Sequence, residues 1–176
     1  MLYYQCDMRF LSTLRSLILG TWIGGIVCAG ILTAPAIFSK ISSRTVAGTV
    51  FGEVLRRLNK FELVCIILLI LLTVSVRIGS SVVNEKIWKK KALIVSDASL
   101  LLMFCFWFYY AQIITPEMER LKAAIPSFDV TIEQLEKDPA RSEELIARKR
   151  FDFLHKRYSR VMSGNMVLGV VMFFIP

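Results

Sequence analysis

The sequence predicts an all-α integral membrane protein, a four-helix bundle with amphipathic helices at the membrane interface. Four apolar runs support this fold class. Residues 17–38 contain no charged side chain, and residues 92–115 contain only Asp97. A bilayer core is crossed by roughly 20 apolar residues in a helix. The chain is 55% hydrophobic with a positive mean hydropathy, more apolar than an ordinary soluble domain. We therefore expect one polytopic membrane domain over residues 1–176.

The first predicted span, residues 16–38, carries a face of small side chains. Small residues at this spacing let two transmembrane helices approach closely, so we expect the span to pack against another helix. Pro35 near its end lacks an amide hydrogen and is expected to kink or end the helix. The run is longer than the apolar region of a signal peptide and further spans follow it, so we expect it to be retained. The packing face consists of Gly20, Gly24, Gly25 and Ala29.

Two further spans follow, joined by a short basic loop. Residues 45–60 have apolar side chains at helical spacing beside basic ones, which is typical of a helix in the interface plane or leading into the next span. The aromatic cluster at 104–110 begins deeper than an interfacial anchor would, so part of it is expected to pack against other helices. The expected bounds are 61–83 for the second span, 84–91 for the loop and 92–115 for the third span.

A polar segment at 116–150 separates the third span from the last. Its pattern is mostly helical, and Thr115-Pro116 is typical of a new helix start. Asp138-Pro139 is expected to begin the last helix. That helix is predicted to continue unbroken into a short fourth span at 157–175, with basic side chains near its start extending toward the headgroups.

The charge distribution indicates a membrane environment and not a nucleic-acid partner. The net charge is +8, but the basic residues gather at the ends of apolar runs, as headgroup anchoring requires. Four spans place both termini and the 84–91 loop on one side. Most lysines and arginines lie on the other side, in 39–60 and 116–160, which favours that side as cytoplasmic. We expect a multi-pass protein of the bacterial cytoplasmic membrane whose partners are lipids and a second copy or another membrane protein.

Two ionisable residues inside the predicted spans form a candidate polar pair. An unpaired ionisable group in a span costs several kcal/mol, so it normally has a partner or faces water. Arg77 and Asp97 lie at similar distances from the loop that joins their spans, so we predict a contact between them. The pair would pin two helices or serve a proton or ion relay or a polar cavity. Alternatively, Arg77 extends to the headgroups. Trp22, at a similar depth, would cap such a cavity or anchor the interface.

A second polar group gathers toward the opposite membrane face. His155 and Ser159 share one face of the last helix because they are spaced by one turn. His155 could titrate near neutrality, but a lone histidine at the start of a span is more often a hydrogen-bonded structural residue than a ligand. The group consists of Asn59, Glu62, Arg150, His155, Ser159 and Asn165.

The sequence offers no set of residues for catalysis or for a cofactor. It contains four cysteines without a CxxC pair and a single histidine, so neither a metal nor another cofactor is expected. The cysteines are interpreted as small apolar residues. No Ser/His/Asp arrangement, HExxH motif or P-loop is present, and we do not expect an enzyme.

Short motifs in a fixed order carry a family resemblance. They are Gly20-Thr-Trp-Ile-Gly-Gly25, Thr33-Ala-Pro-Ala-Ile-Phe38, Val46-Ala-Gly-Thr-Val-Phe-Gly52 and Arg150-Phe-Asp-Phe-Leu-His155-Lys-Arg-Tyr-Ser159, with Asn165 beyond them. From about residue 17 to 174 the chain resembles the transmembrane-protein-205-like family, also called domain of unknown function 4149. The resemblance implies a four-helix membrane bundle with a long polar loop before the last span, and no agreed reaction. Its family positions would be Trp22, Pro35, Phe38, Gly48, Phe51, His155, Ser159 and Asn165.

These observations favour a membrane-embedded accessory or interaction protein without catalysis of its own. Its contact surfaces would be the small-residue face of the first span and the polar segment 116–150. The alternative is a small-solute or ion permease, as a monomer or an oligomer, with its site at the level of Arg77 and Asp97. The third hypothesis is a membrane enzyme that uses His155. A permease requires a continuous polar path across the bundle, whereas an accessory protein requires none.

Overall fold

The computed structural model describes the backbone of residues 2–80 and 87–174, and the side chains of residues 10–77 and 94–174. Within these ranges the chain is helical apart from short connections and contains no strand. The predicted all-α fold is confirmed. The helices are α1 Leu2–Val27, α2 Ala34–Lys40, α3 Arg44–Ser80, α4 Ile87–Phe108, α5 Thr115–Ala123, α6 Ile132–Glu136 and α7 Ser142–Phe174. Two π-helical turns, Cys28–Thr33 and Tyr109–Ile114, and a 3-10 turn, Pro139–Arg141, complete the secondary structure.

Three helical stretches are long and apolar enough to cross a membrane. They are Phe10–Lys40, Arg44–Arg77 and Ile94–Ala123, and they contain most of the first three predicted spans. α7 packs against α1 and α4, but its described residues form no equally long apolar stretch. A fourth crossing therefore stays a prediction. Residues 81–83 of the second predicted span, residues 84–86 of the predicted loop and residue 175 of the fourth span lie outside the described residues. The rest of the loop predicted at 84–91 is helical, because α4 begins at Ile87.

Pro35 does not end the first helix. A π-helical turn at Cys28–Thr33 precedes it, and the chain continues as α2 to Lys40. Proline lacks an amide hydrogen, and its ring clashes with a carbonyl of the preceding turn. A wider turn accommodates both defects. Thr33 Oγ1 also donates to the carbonyl oxygen of Cys28 at 3.1 Å, which supplies a hydrogen bond at the altered turn.

Pro116 follows the same arrangement, so the prediction of a new helix start at Thr115-Pro116 is wrong. α4 continues through the π-helical turn Tyr109–Ile114 directly into α5. Thr115 has helical backbone angles and donates from its hydroxyl to the carbonyl oxygen of Tyr110 at 2.8 Å. The proline is thereby absorbed by a local change of helical pitch and not by a break in the chain.

The amphipathic segment 45–60 and the second span form one helix, α3, so that segment leads directly into the membrane. The last helix is also continuous into its apolar end, as predicted. The Pro139–Arg141 turn directly precedes α7, and Asp138 caps this turn by accepting a hydrogen bond from the Ala140 amide at 3.1 Å. α6 starts with a capping box in which Thr131 and Gln134 bond each other's backbone amides.

The centre of the bundle is apolar and closed. Leu19 of α1, Leu69 of α3 and Met103 of α4 are almost completely buried, and Met172 of α7 packs with them. Trp22 is fully buried in the same cluster, so neither an interfacial anchor nor the cap of an open cavity describes it.

Candidate functional site

The predicted contact between Arg77 and Asp97 is present. The Arg77 guanidinium forms an ion pair with the Asp97 carboxylate and joins α3 to α4. The two side chains are 39% and 41% exposed, so the pair lies at the edge of the bundle and not inside an enclosed cavity. A role of this pair in a proton or ion relay or at a polar cavity stays a prediction.

Arg15 adds a second connection at the same end of the bundle. Its guanidinium donates to Ser96 Oγ at 3.3 Å and to the carbonyl oxygen of Met172 at 3.0 Å. These bonds link α1 to α4 and α7. Charged side chains thus connect all four long helices at this level, which fits a structural role.

The predicted packing face of the first span divides into two parts. Gly25 and Ala29 pack inward, and a Cβ atom at Gly25 would lie 3.3 Å from Cε1 of Phe61 on α3. Gly20 and Gly24 are exposed. A Cβ atom at Gly24 would meet no heavy atom within 4 Å, so the GxxxG pair is not used for packing among the described residues.

Buried polar side chains meet where α3, α4 and α7 approach each other. The Tyr110 hydroxyl donates to Glu62 Oε2 at 2.7 Å and accepts a hydrogen bond from Asn165 Nδ2 at 3.2 Å. Tyr158 donates to Asn59 Oδ1 at 3.0 Å. The Trp107 indole donates to the Asn59 carbonyl oxygen at 2.9 Å. We call this set of residues the polar network: Asn59, Glu62, Trp107, Tyr110, Tyr158 and Asn165.

The inner part of the polar network is fully buried, and some of its polar atoms have no hydrogen bond. Glu62, Tyr110 and Asn165 have no exposed surface. Among the described residues, Glu62 Oε1, Asn165 Oδ1 and Trp22 Nε1 make no hydrogen bond, although the Trp22 indole lies beside the Glu62 carboxyl group. No cation in the described part of the chain forms an ion pair with Glu62. A buried polar atom without a partner is costly, so the bonds that the network does make are important for its stability.

A cavity of about 250 Å³ lies beside the polar network, between α3, α5 and α7. It is located where the three apolar stretches end on one side of the bundle, at Lys40, Arg44 and Ala123. Tyr158 contributes to both the cavity and the network. We call this space the interface cavity; its apolar lining includes Phe38, Phe51, Leu55, Met118, Phe128 and Phe151, and its polar lining includes Arg44, Glu119, Lys122, Arg148, Asp152 and His155.

Arg148 is the most enclosed cation of the interface cavity. Its side chain is 13% exposed and its guanidinium carbon lies 4.2 Å from the centre of the Phe128 ring. Asp152 Oδ1 is 3.8 Å from Arg148 Nε, beyond hydrogen-bond distance. Within the described chain, the Nε and Nη1 atoms of Arg148 are buried and donate no hydrogen bond.

Lys122 is held against the helix backbone on the opposite wall. Its Nζ atom lies 3.2 Å from Glu119 Oε1 and 3.5 Å from the carbonyl oxygen of Gly48. A Cβ atom at Gly52 would approach Lys122 Nζ to 2.8 Å, so glycine at this position allows the ammonium group to lie close to α3.

The connection between α5 and α6 forms one wall of the interface cavity and is fixed to the start of α3. Asp129 accepts hydrogen bonds from the Arg44 amide at 2.6 Å and from Ser43 Oγ at 2.9 Å. The Phe128 amide donates to Thr45 Oγ1 at 2.8 Å. A carboxylate at a helix N-terminus is favourable, and the bond from the Ser43 hydroxyl followed by that from the Arg44 amide lowers the pKa of Asp129.

His155 lines the interface cavity, but it does not act together with Ser159. Its ring is nearly parallel to that of Phe151, with 6.2 Å between the centroids. The Ser159 hydroxyl donates to the backbone carbonyl of His155 at 3.0 Å and not to the imidazole. Arg150 forms an ion pair with Glu117 at 2.7 Å and does not line the cavity. The predicted second polar group therefore divides between the network, the cavity and the surface.

The titration of His155 provides a direct test of the cavity environment. Partial burial lowers the pKa of His155 below its usual 6.5, Lys122 lowers it further, and Asp152 opposes the shift. We expect an NMR titration midpoint below 6.5, and a lower one in Asp152→Asn. The single histidine makes the signal unambiguous. Because the folded pKa is depressed, stability should fall as the pH drops through the folded value, and less so in His155→Gln. A midpoint at or above 6.5 would contradict this environment.

A comparison with known families decides where this fold belongs. The family described as Domain of unknown function (DUF4149) matches residues 17–124, more than half of the chain. The chain belongs to this family. No curated protein and no solved structure matches it. The DUF4149 match covers the first three predicted spans almost completely and ends before α6 and α7.

Most of the positions suggested by the resemblance lie at the polar network or the interface cavity. Trp22 and Asn165 lie in or beside the polar network, and Phe38, Gly48, Phe51 and His155 line the interface cavity. Phe38 and Phe51 also contact each other edge to face at 6.1 Å. Pro35 lies in α2 after the π-helical turn, and Ser159 is on the surface. Trp22, Pro35, Phe38, Gly48 and Phe51 lie within the range that DUF4149 matches.

Several residues of the site have no distinctive signal in the sequence. Arg148 and Lys122 occur in polar helical segments where solvent exposure is the ordinary expectation. Tyr110 could have been found by the depth argument used for Arg77 and Asp97. Glu62 precedes Arg77 by about as many residues as Tyr110 follows Asp97, so the two lie at nearly the same depth on adjacent helices.

Proposed function

We propose that this protein is an accessory membrane protein that binds another transmembrane helix through α1 and catalyses no reaction. The exposed small-residue face carries the proposal. Gly20 and Gly24 are spaced by one turn, and a Cβ atom at Gly20 would reach only Phe173, at 4.0 Å. Small residues left uncovered in a span give a second helix the close approach on which association in lipid depends.

The closed centre of the bundle favours this role over that of a permease. A permease needs a polar path between the polar network and the level of Arg77 and Asp97. The two levels are separated by about 22 Å along α3 at 1.5 Å per residue. Leu69 and Met103 are buried between them and pack with Leu19, which leaves an apolar barrier.

The proposed setting is the bacterial cytoplasmic membrane, with the interface cavity on the cytoplasmic side. The positive residues of 39–60 and 116–160 support this orientation. The closer likeness to transmembrane-protein-205-like proteins also belongs to the proposal. It rests on the ordered motifs from Gly20 to Asn165.

Cross-linking at Cys28 tests the proposed helix contact. Cys28 is exposed and lies one turn beyond Gly24 on the same face. A variant in which Cys28 is the only cysteine is expected to form a cross-linked species in native membranes treated with a short bismaleimide. Gly24→Leu should prevent the close approach of the second helix and reduce this species about tenfold, which corresponds to a loss of about 1.4 kcal/mol of association free energy. Leucine at this position should not disturb the fold, since no heavy atom lies within 4 Å of the added Cβ.

A variant whose only cysteine is Cys105, also exposed but on α4, is the matched control and should not be cross-linked. An adduct of twice the chain mass identifies a second copy as the partner, and an adduct of another mass identifies a different membrane protein. Both support the proposal. Cross-linking that is absent at Cys28, or that Gly24→Leu leaves unchanged, refutes it.

A further inference from the structure

The interface cavity combines an aromatic wall with a cationic one. Phe38, Phe51 and Phe128 contribute flat apolar surface, while Arg148 and Lys122 contribute positive charge. Binding sites for small molecules commonly pair such apolar surface with a few placed polar groups. A ligand that fits both walls has an anionic head and an apolar chain.

Arg148 provides the strongest indication of the head group. Its guanidinium is enclosed, and two of its nitrogen atoms donate no hydrogen bond to any described residue. A buried donor without an acceptor is unfavourable, and more so when it carries charge. Carboxylates and phosphates present several acceptor oxygens to a guanidinium, so an anion in the cavity would offer Arg148 the acceptors that no described residue gives these nitrogens, once the side chain turns toward it.

The absence of a side chain at Gly48 keeps part of the interface cavity open. A Cβ atom at this position would meet no heavy atom within 4 Å, and no glycine of the described chain has a positive φ. Neither backbone conformation nor packing therefore requires glycine at 48. Because Gly48 lines the cavity, a larger side chain there would extend into the space available to a ligand.

The charges of the lining indicate a ligand with one negative charge. Arg44, Lys122 and Arg148 face two carboxylates, Glu119 and Asp152, which leaves an excess of one positive charge with His155 neutral. Lys122 is already paired with Glu119, whereas Arg148 has only the distant Asp152. The two negative charges of a phosphate monoester would exceed the single positive charge of the lining, whereas a phosphodiester or a carboxylate would match it.

We propose that the interface cavity binds a singly charged anionic amphiphile, with its phosphodiester or carboxylate head at Arg148 and its apolar chain against the aromatic wall. The three apolar stretches end around this cavity, so its ligand would come from the adjacent bilayer leaflet. This site is separate from the exposed face of α1, and the inference does not depend on the proposed helix contact.

Ligand binding to the purified whole chain tests the proposal. Native mass spectrometry and thermal unfolding would be followed with phosphatidylglycerol, oleate, zwitterionic phosphatidylcholine and glycerophosphoglycerol, which has the head group but no chains. We expect phosphatidylglycerol or oleate to bind at least about tenfold more tightly than phosphatidylcholine, because a charge-assisted bond adds that much affinity. Glycerophosphoglycerol should not raise the unfolding temperature. Tight binding of phosphatidylglycerol identifies a phospholipid as the source of the head group, and tight binding of oleate identifies a fatty acid.

Three variants separate the cavity from general surface charge. Arg148→Gln removes the cation and Gly48→Leu fills the space while retaining every charge, and each should weaken binding about tenfold or more. Arg150→Gln is the matched control, because Arg150 is 64% exposed, paired with Glu117 and outside the cavity. It should bind like the unaltered chain. If Arg148→Gln fails to fold, the binding measured for Gly48→Leu provides the test of the proposal. Equal binding by Gly48→Leu and the unaltered chain, or no preference for the anionic amphiphiles, overturns the proposal.

Discussion

Gly169→Ala is expected to destabilise the bundle by about 1–3 kcal/mol, the usual cost of forcing extra volume into a packed core. The ring of Trp22 lies directly on Gly169, and an added Cβ atom would overlap Cζ3 of the indole. Trp22 has no exposed surface, so the ring has no free space into which to move. The free energy of unfolding in mixed micelles measures the effect.

Gly164 on the same helix provides the control for this prediction. A Cβ atom there would lie 3.5 Å from Cε2 of Phe106, an ordinary van der Waals distance. Gly164→Ala should therefore be neutral or gain about 0.5–1 kcal/mol from the better helix propensity of alanine. In a double-mutant cycle with Trp22→Leu, the cost of Gly169→Ala should shrink, because the clashing ring is gone. Equal stability of Gly169→Ala and the unaltered chain would show that the two helices separate easily.

Tyr110→Phe is expected to cost about 1–3 kcal/mol, because it removes one hydroxyl group and leaves two buried polar groups without a bond. That hydroxyl donates to Glu62 Oε2 and accepts from Asn165 Nδ2, and all three side chains are fully buried. Thermal unfolding in detergent and the free energy of unfolding would both report the loss.

The neighbouring Tyr109 is the matched control for the polar network. Its ring lies under the Arg157 guanidinium at 5.4 Å and is partly exposed, and its hydroxyl is not part of the network. Tyr109→Phe should change stability by less than about 0.5 kcal/mol. Asn165→Ala should cost less in the Tyr110→Phe background than in the unaltered chain, because its partner is already absent. Similar losses for Tyr109→Phe and Tyr110→Phe would argue against a network.

The depth of a charged residue in a span was predictable from the sequence, but its surroundings were not. Arg77 and Asp97 form the expected ion pair because a helix rises by a constant distance per residue and consecutive spans lie side by side. Their position at the bundle edge depends on how the helices are rotated about their axes. That rotation is set by packing against α1 and α7, which lie far away along the chain.

The small-residue face of α1 was likewise predictable from the sequence, but the helix that covers each of its residues was not. Spacing alone indicated that Gly20, Gly24, Gly25 and Ala29 allow close approach of a helix. Only the structure shows that Gly25 lies against α3 and that Ala29 is buried, while Gly24 is uncovered. Adjacent glycines point in different directions around a helix, so a single motif serves one neighbour on one side and leaves another side open.

The effect of each proline was only partly predictable because it depends on the neighbouring turn. Pro35 was expected to kink or end its helix and Pro116 to follow a new helix start, since proline ordinarily interrupts the hydrogen bonds of an α-helix. Each follows a π-helical turn with a threonine hydroxyl bonded to the carbonyl five residues earlier. In a span, an interrupted backbone must find its bonds within the protein, which favours a local change of pitch over a break.

The sequence by itself determined that the chain is all-α and at what relative depth Arg77 and Asp97 lie, and it predicted four spans, of which the first three correspond to helical stretches long and apolar enough to cross a membrane. These properties follow from local quantities, namely the length of apolar runs, the helical rise and the cost of a charge in lipid. Tertiary structure alone decided that Trp22 packs on Gly169, that Tyr110 joins Glu62 to Asn165, and that Arg148 faces a cavity. Those contacts connect residues distant along the chain, and helical periodicity specifies a residue's face but not the partner that covers it.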